Sequence, residues 1–151
     1  MDKIIHQSVI LNCSNDLAFQ LFTKNEYLEK WLTVKADIEP RLGGKYELYW
    51  VPDDIENDNT RGCKILALES PHYISFEWKG PKQYKKFMNN AKPKTHVIAI
   101  FSNINSGTKV GIIHTGWRES QEWDEARDFF INAWNDVLSQ LVTVSKSIIK
   151  N

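Results

Sequence analysis

The sequence predicts an α+β fold in which a curved antiparallel β-sheet wraps around a long C-terminal helix. Three observations carry that expectation. Between residues 35 and 117 apolar side chains tend to recur at every second position. From Gln121 to Ile149 they recur at the helical period of 3.6 instead. Two short amphipathic stretches follow directly on the first strand, an unusual order for a sandwich or a barrel.

Each element has its own justification. Ile4 to Leu11 reads as a first strand, with Ile5, Val9 and Leu11 set among polar residues. Cys13-Ser14-Asn15-Asp16 then supplies N-cap chemistry for a short helix through Leu17-Ala18-Phe19-Gln20-Leu21-Phe22, because short polar side chains accept from the free N–H groups of a first turn. Asn25 is placed to cap a second helix, Glu26 to Leu32, presenting Tyr27, Leu28 and Trp31. After the Gly43-Gly44 turn, Tyr46, Leu48 and Trp50 alternate with Lys45, Glu47 and Tyr49. Asp53 to Asn59 is polar, follows Pro52, and reads as an exposed hairpin loop. Further strands are expected at Gly62–Glu69, His72–Lys79, Thr95–Asn103 and Lys109–Trp117, joined by turns at Ser70-Pro71 and Asn105-Ser106-Gly107. Close, sequential strands favour an antiparallel meander. The last helix puts Trp123, Phe130, Trp134, Val137 and Leu141 on one stripe, with Ala126, Ala133 and Leu138 beside it. At about 1.5 Å per residue it spans roughly 40 Å, enough to cross a small domain.

Bulk properties narrow the function. The 151 residues suit one domain, 1–151, with a sizeable core. Lys+Arg and Asp+Glu are 19 each, so the net charge is zero, and the basic excess of a nucleic-acid binder is missing. No apolar run reaches the length of about 18 residues that a membrane span needs. Cys13 and Cys63 are far apart and match no metal spacing, so they read as reduced thiols. Met1-Asp2-Lys3-Ile4-Ile5-His6 lacks the apolar core of a secretory signal, which makes the cytoplasm the expected location. His6, His72, His96 and His114 stand singly, without zinc-type pairing, and neither a metal nor a cofactor is expected.

The order strand, two short helices, run of strands and long final helix resembles that of the START-like (SRPBCC), birch-allergen-like helix-grip superfamily. Particular residues sharpen the likeness. Tyr27-Leu28-Glu29-Lys30-Trp31 resembles the tryptophan-bearing second helix of bacterial proteins similar to the C-terminal domain of the heat-shock-protein-90 ATPase activator. Arg41-Leu42-Gly43-Gly44-Lys45-Tyr46 looks like that family's double-glycine turn. Lys64 to Pro71 and Ser75-Phe76-Glu77-Trp78 are similar to its fourth and fifth strands. His114-Thr115-Gly116-Trp117, then Glu122-Trp123 and Ala133-Trp134, complete the pattern over nearly the whole chain. The resemblance implies a hydrophobic cavity between sheet and last helix. It includes ligand binders, and in the wider superfamily cyclases and hydratases, with no catalytic set common to all. Co-chaperone activity goes with a eukaryotic two-domain architecture.

Strand alternation and this resemblance together place the candidate site. Tyr46, Leu48 and Trp50, then Phe76 and Trp78, then Val97, Ala99 and Phe101 face the helix, with Ile112, Phe130 and Trp134 around them and Trp31 capping one end. Such a set lines a pocket for a small hydrophobic or planar molecule, or it packs into a solid core. His114 points inward beside Ile112 and is the one candidate catalytic base, paired with Tyr46 or Tyr49 as proton donor. Alternatively it tethers the last strand to a carbonyl or a tyrosine. Glu47 and Glu77 fall on the solvent side. Residues 79–94 hold six lysines and no acid, interleaved with Tyr84 and Phe87, and form either a rim for an anion or partner, or a solvated surface. Three functions stay open: a ligand binder, an enzyme using the same cavity, and a protein-interaction module with a chaperone partner. A homodimer is a further possibility.

Overall fold

The computed structural model describes residues 3–149; Met1 and Asp2, part of the reading of the N-terminus, lie outside the described residues. The chain runs β1 (Ile5–Leu11), α1 (Asn15–Thr23), α2 (Asn25–Trp31), β2 (Lys35–Ile38), β3 (Tyr46–Tyr49), β4 (Ile65–Glu69), β5 (Tyr73–Glu77), α3 (Lys85–Met88), β6 (His96–Ile104), β7 (Gly107–Thr115) and α4 (Gln121–Ile149). This is the expected α+β fold, and α4 has the bounds that its apolar stripe predicts.

The N-terminal helices form for local reasons. Ser14 caps α1, its hydroxyl accepting from the Leu17 N–H at 3.2 Å. Asn25 does not cap α2: that position belongs to Lys24, which has no side-chain capping bond, and the Asn25 amide oxygen instead accepts from the Ile38 N–H at 2.9 Å. The residue thus ties the helix to β2. At the other end of the chain, Ser120 Oγ accepts from the Trp123 N–H and starts α4.

The strands do not form one continuous ladder. Five make an antiparallel sheet in the order β1-β7-β6-β5-β4, and β2-β3 is a separate ribbon joined to the rest by the bridges Lys45–Lys64 and Tyr49–Asn59. Thr60 explains the break. Its N–H donates to Leu48 O, its hydroxyl donates to Tyr46 O, and the same hydroxyl accepts from the Leu48 N–H, all at 2.9 Å. One residue therefore takes the backbone groups of β3 that a paired strand would use. The Gly43-Gly44 turn allows the close return into β3. Gly43 has φ +75°, and a Cβ on Gly44 would lie 2.2 Å from Glu39 O. The loop after β3 is less exposed than its polarity predicts, because Asn59 is buried, donating to Ile55 O and Asn57 O and accepting from the Arg61 N–H.

The core lies between the five-stranded sheet and α4, which buries Trp123, Ala126, Phe130, Trp134, Leu138, Leu141 and Val144. Among the described residues, two side-chain bonds join strands of the sheet to α4. Gln7 on β1 donates to Ile131 O at 2.9 Å, and Trp134 donates to His114 Nδ1 at 3.0 Å. Residues 79–94, expected as a loop, contain the single turn α3 and strap across the start of α4. Tyr84 meets Phe129 edge-on at 5.5 Å, and Phe87 meets Trp123 at 5.0 Å. Their aromatic side chains gain burial that a charge count cannot show.

Candidate functional site

Between α4 and the far end of the sheet lies a cavity of about 240 Å³. Helix α4 supplies Phe129, Phe130, Ala133, Trp134 and Val137, positions spaced so that they share one face of a helix. Trp78 directly follows β5, where its backbone N–H donates to Thr95 O at 2.8 Å and prolongs the pairing with the residues before β6. Leu32 closes the wall behind α2, and Trp50 and Val51 follow β3. Gly80 and Pro81 bring in the strap, with Asp58, Asn59 and Lys79 as the polar residues of the lining. An apolar wall with few polar groups is the usual make-up of a small-molecule site.

Of the residues singled out in the sequence, Trp50, Trp78, Phe130 and Trp134 meet at this cavity. Trp78 is the hub: its ring centroid lies 5.4 Å from Trp134 and 5.8 Å from Trp50. Tyr46, Leu48, Phe76, Val97, Ala99, Phe101 and Ile112 face inward, as alternation predicts, but pack solidly within the core away from the cavity. Tyr46 stacks on Phe76 with centroids 3.7 Å apart, filling the space between them. Trp31 packs on Phe22 and donates to Leu21 O at 2.7 Å. Leu32, Val51, Asp58, Asn59, Phe129, Ala133 and Val137 line the cavity without having been singled out for it, and Lys79, Gly80 and Pro81 come from the segment read as a rim. For Phe129, Ala133 and Val137 the signal was present, since they neighbour Phe130 and Trp134 on the helical face.

His114 is wholly buried and adjoins the cavity through Trp134 and Phe130. An indole N–H only donates, so Nδ1 must be the bare nitrogen that accepts from Trp134. The ring is then neutral with its proton on Nε2, which donates to Thr95 Oγ1 at 3.1 Å. Burial, aided by the His96 charge, lowers its pKa to about 3. Both nitrogens are engaged, so the imidazole links β7, α4 and Thr95 and has no lone pair free for a substrate proton. The two tyrosines considered as acids are engaged too. Tyr46 donates to Phe22 O at 2.7 Å, and burial drives its pKa far up. Tyr49 donates to Glu47 Oε1 at 2.9 Å, and burial together with that carboxylate raises its pKa to about 12.

The thiols of Cys13 and Cys63 are both free. Among the described residues, no three His, Cys, Asp or Glu side chains converge as a metal site would require. In the lysine-rich strap, Lys79 donates to Arg61 O at 3.0 Å, and the Lys82 N–H donates to Asp58 Oδ1 at 2.9 Å.

Comparison with known proteins places this geometry in a family. Residues 12–146 match the family described as Activator of Hsp90 ATPase homolog 1-like protein. The chain belongs to that family. No curated protein matches it. Among solved structures, protein MLL2253 from Mesorhizobium loti superposes with a TM-score of 0.75 at 16% identity, over 96% of this chain and 98% of that one. SA2116 from Staphylococcus aureus, a protein of unknown function, gives 0.72 at 12% identity over 100% and 98%. The Aha1 dimer from Colwellia psychrerythraea, solved in solution, gives 0.66 at 14% identity over 92% of each chain. These likenesses show that the family's sheet-and-helix fold is shared. Among the described residues, no helix is long and apolar enough to cross a membrane.

Proposed function

We propose that the protein binds a small hydrophobic or planar molecule in the cavity between the sheet end and α4. Family membership supports a ligand-binding or co-chaperone-like module in general terms, and one observation favours the ligand. The cavity of about 240 Å³ is walled by Trp50, Trp78, Phe130 and Trp134. Hydrogen bonds fix the indoles of Trp50 and Trp134, and edge-to-face contacts join Trp50 to Trp78 and Phe130 to His114, a preorganised wall that favours binding. The enzyme reading has weaker support, because His114, Tyr46 and Tyr49 each spend their polar atoms on the protein itself. A second copy of the chain as partner is the next reading, favoured by the dimer of the Colwellia relative. We read the chain as one domain, since β1 and β7 share a ladder and α4 is bonded to both. The two free thiols fit a cytoplasmic setting.

The test is native mass spectrometry of the purified protein, followed by extraction of the same sample under denaturing conditions. A bound molecule of defined mass, lost on unfolding, is the expected result. The companion variant is Ala133→Leu, which fills the cavity from α4 and leaves the packed core alone. Ligand binding should fall while the melting temperature holds or rises, as for other cavity-filling changes. Undiminished binding in that variant would place the ligand elsewhere.

A further inference from the structure

We infer that the indole N–H of Trp78 points into the cavity as its hydrogen-bond donor, and that the occupant is a planar apolar molecule bearing an acceptor, above all a carbonyl oxygen. This rests on the cavity being the binding site. Three indoles line it, and two of their N–H groups are already used: that of Trp50 donates to Leu32 O at 2.9 Å, that of Trp134 to His114 Nδ1. The N–H of Trp78 makes no hydrogen bond to any described residue, although the side chain is only 3% exposed. It is not sealed in either. The sealed side-chain polar atoms without partners among the described residues are Gln7 Oε1, Asn57 Oδ1 and Arg127 Nε. The little surface that Trp78 keeps thus includes its nitrogen, and the cavity is the space that this ring borders.

A buried tryptophan nearly always finds a partner for its N–H. Here the remaining polar groups of the lining are spoken for or half-exposed. Asn59 is bonded at both ends of its amide, Lys79 donates to Arg61 O, and Asp58 accepts from the Lys82 N–H. An all-hydrocarbon guest would cover the Trp78 donor and leave it unpaired. A guest with an acceptor at that point satisfies it, and the surrounding rings of Trp50, Phe130 and Trp134 take the planar body. The asymmetry selects for ligand chemistry, because a site built around a buried donor rejects a guest that lacks the matching acceptor.

The experiment uses fluorene and fluorenone, planar probes that differ by one carbonyl, titrated into the full chain and into Trp78→Phe by tryptophan fluorescence and calorimetry. Comparing the ratio of the two dissociation constants in each protein cancels the probes' different hydrophobicity and the loss of ring area. The expected result is a fluorenone preference that shrinks by roughly two- to tenfold in the variant, the span of one neutral hydrogen bond. In the unaltered protein, fluorenone should shift the Trp78 Nε1–H resonance downfield and fluorene should not, a readout that stands even if the variant folds poorly. An unchanged ratio, or no such shift, with both probes bound overturns the role of Trp78 and leaves the cavity as a binding site. Failure of both probes to bind overturns the cavity reading and this one together.

Discussion

Replacing His114 by glutamine tests the buried imidazole through its pH dependence. Glutamine can accept from Trp134 through its carbonyl and donate to Thr95 through its amide, but it cannot titrate. In the folded chain the His114 pKa is lowered to about 3, first by burial and then by the His96 charge. In the unfolded chain it returns to about 6.5. Below that value the unfolded state binds the proton that the folded state refuses, so stability is complete above about pH 6.5 and is lost as the pH falls toward 3. Each unit of pH costs about 1.4 kcal/mol, so the drop from pH 6.5 to 4.5 costs roughly 3 kcal/mol, a large share of a typical 5–15 kcal/mol. The assay is urea denaturation at half-unit steps from pH 4.5 to 7.5 for both proteins. All other groups are common to both proteins and cancel in the difference. The glutamine variant should gain roughly 3 kcal/mol relative to the parent across that range. Two parallel profiles would refute the argument and would mean that His114 takes up its proton in the folded state.

Thr60→Val removes the hydroxyl that serves Tyr46 O and the Leu48 N–H, leaving two buried backbone groups unpaired; a loss of about 2–4 kcal/mol in urea unfolding is expected, at one to two per group. A cost below 0.5 kcal/mol would show that β3 finds other partners. The two thiols should label in sequence. Burial, and next the Glu77 charge, push the Cys63 pKa up to about 12, so its thiolate at pH 8 is about one part in ten thousand. Cys13, half-buried and raised less, should react first with a thiol reagent, and Cys63 only as denaturant opens the fold. Equal rates in native buffer would contradict the packing around Cys63.

Much of the architecture was legible because it rests on periodicity. The stripe Trp123, Phe130, Trp134, Leu141 dictates α4, and alternation puts Tyr46, Leu48, Phe76, Val97 and Ile112 inward while Glu47 and Glu77 stay partly exposed. Alternation reports which way a side chain points, however, and not whether the layer opposite fills the space it points into. Tyr46 and Phe76 face the same interior as Trp78, yet the first two stack on each other and the third borders a void. Which of the two happens depends on residues far apart in sequence, such as Leu32, Val51 and Pro81, that carry no periodic signal. The separate β2-β3 ribbon was hidden for a related reason. Thr60 ends the ladder with its side chain, and a lone threonine after a polar loop looks like any other. The strap gave a misleading signal, since its lysines advertise solvent while Tyr84 and Phe87 hold it to α4.

The ladder between β1 and β7 pairs residues roughly a hundred positions apart, from Leu11 with Thr108 to Ile5 with His114. On a ribosome adding ~5–20 residues per second, the first strand must therefore wait about 5–20 s for its neighbour to be made. During that interval its backbone has no ladder partner, and Ile5 and Leu11, buried in the finished protein, lack the cover of β7 and α4. A nascent chain in this condition is a natural client for holding factors. Any translation product that stops before β7 leaves β1 without its ladder partner and the β6 edge open, and is prone to aggregate through them.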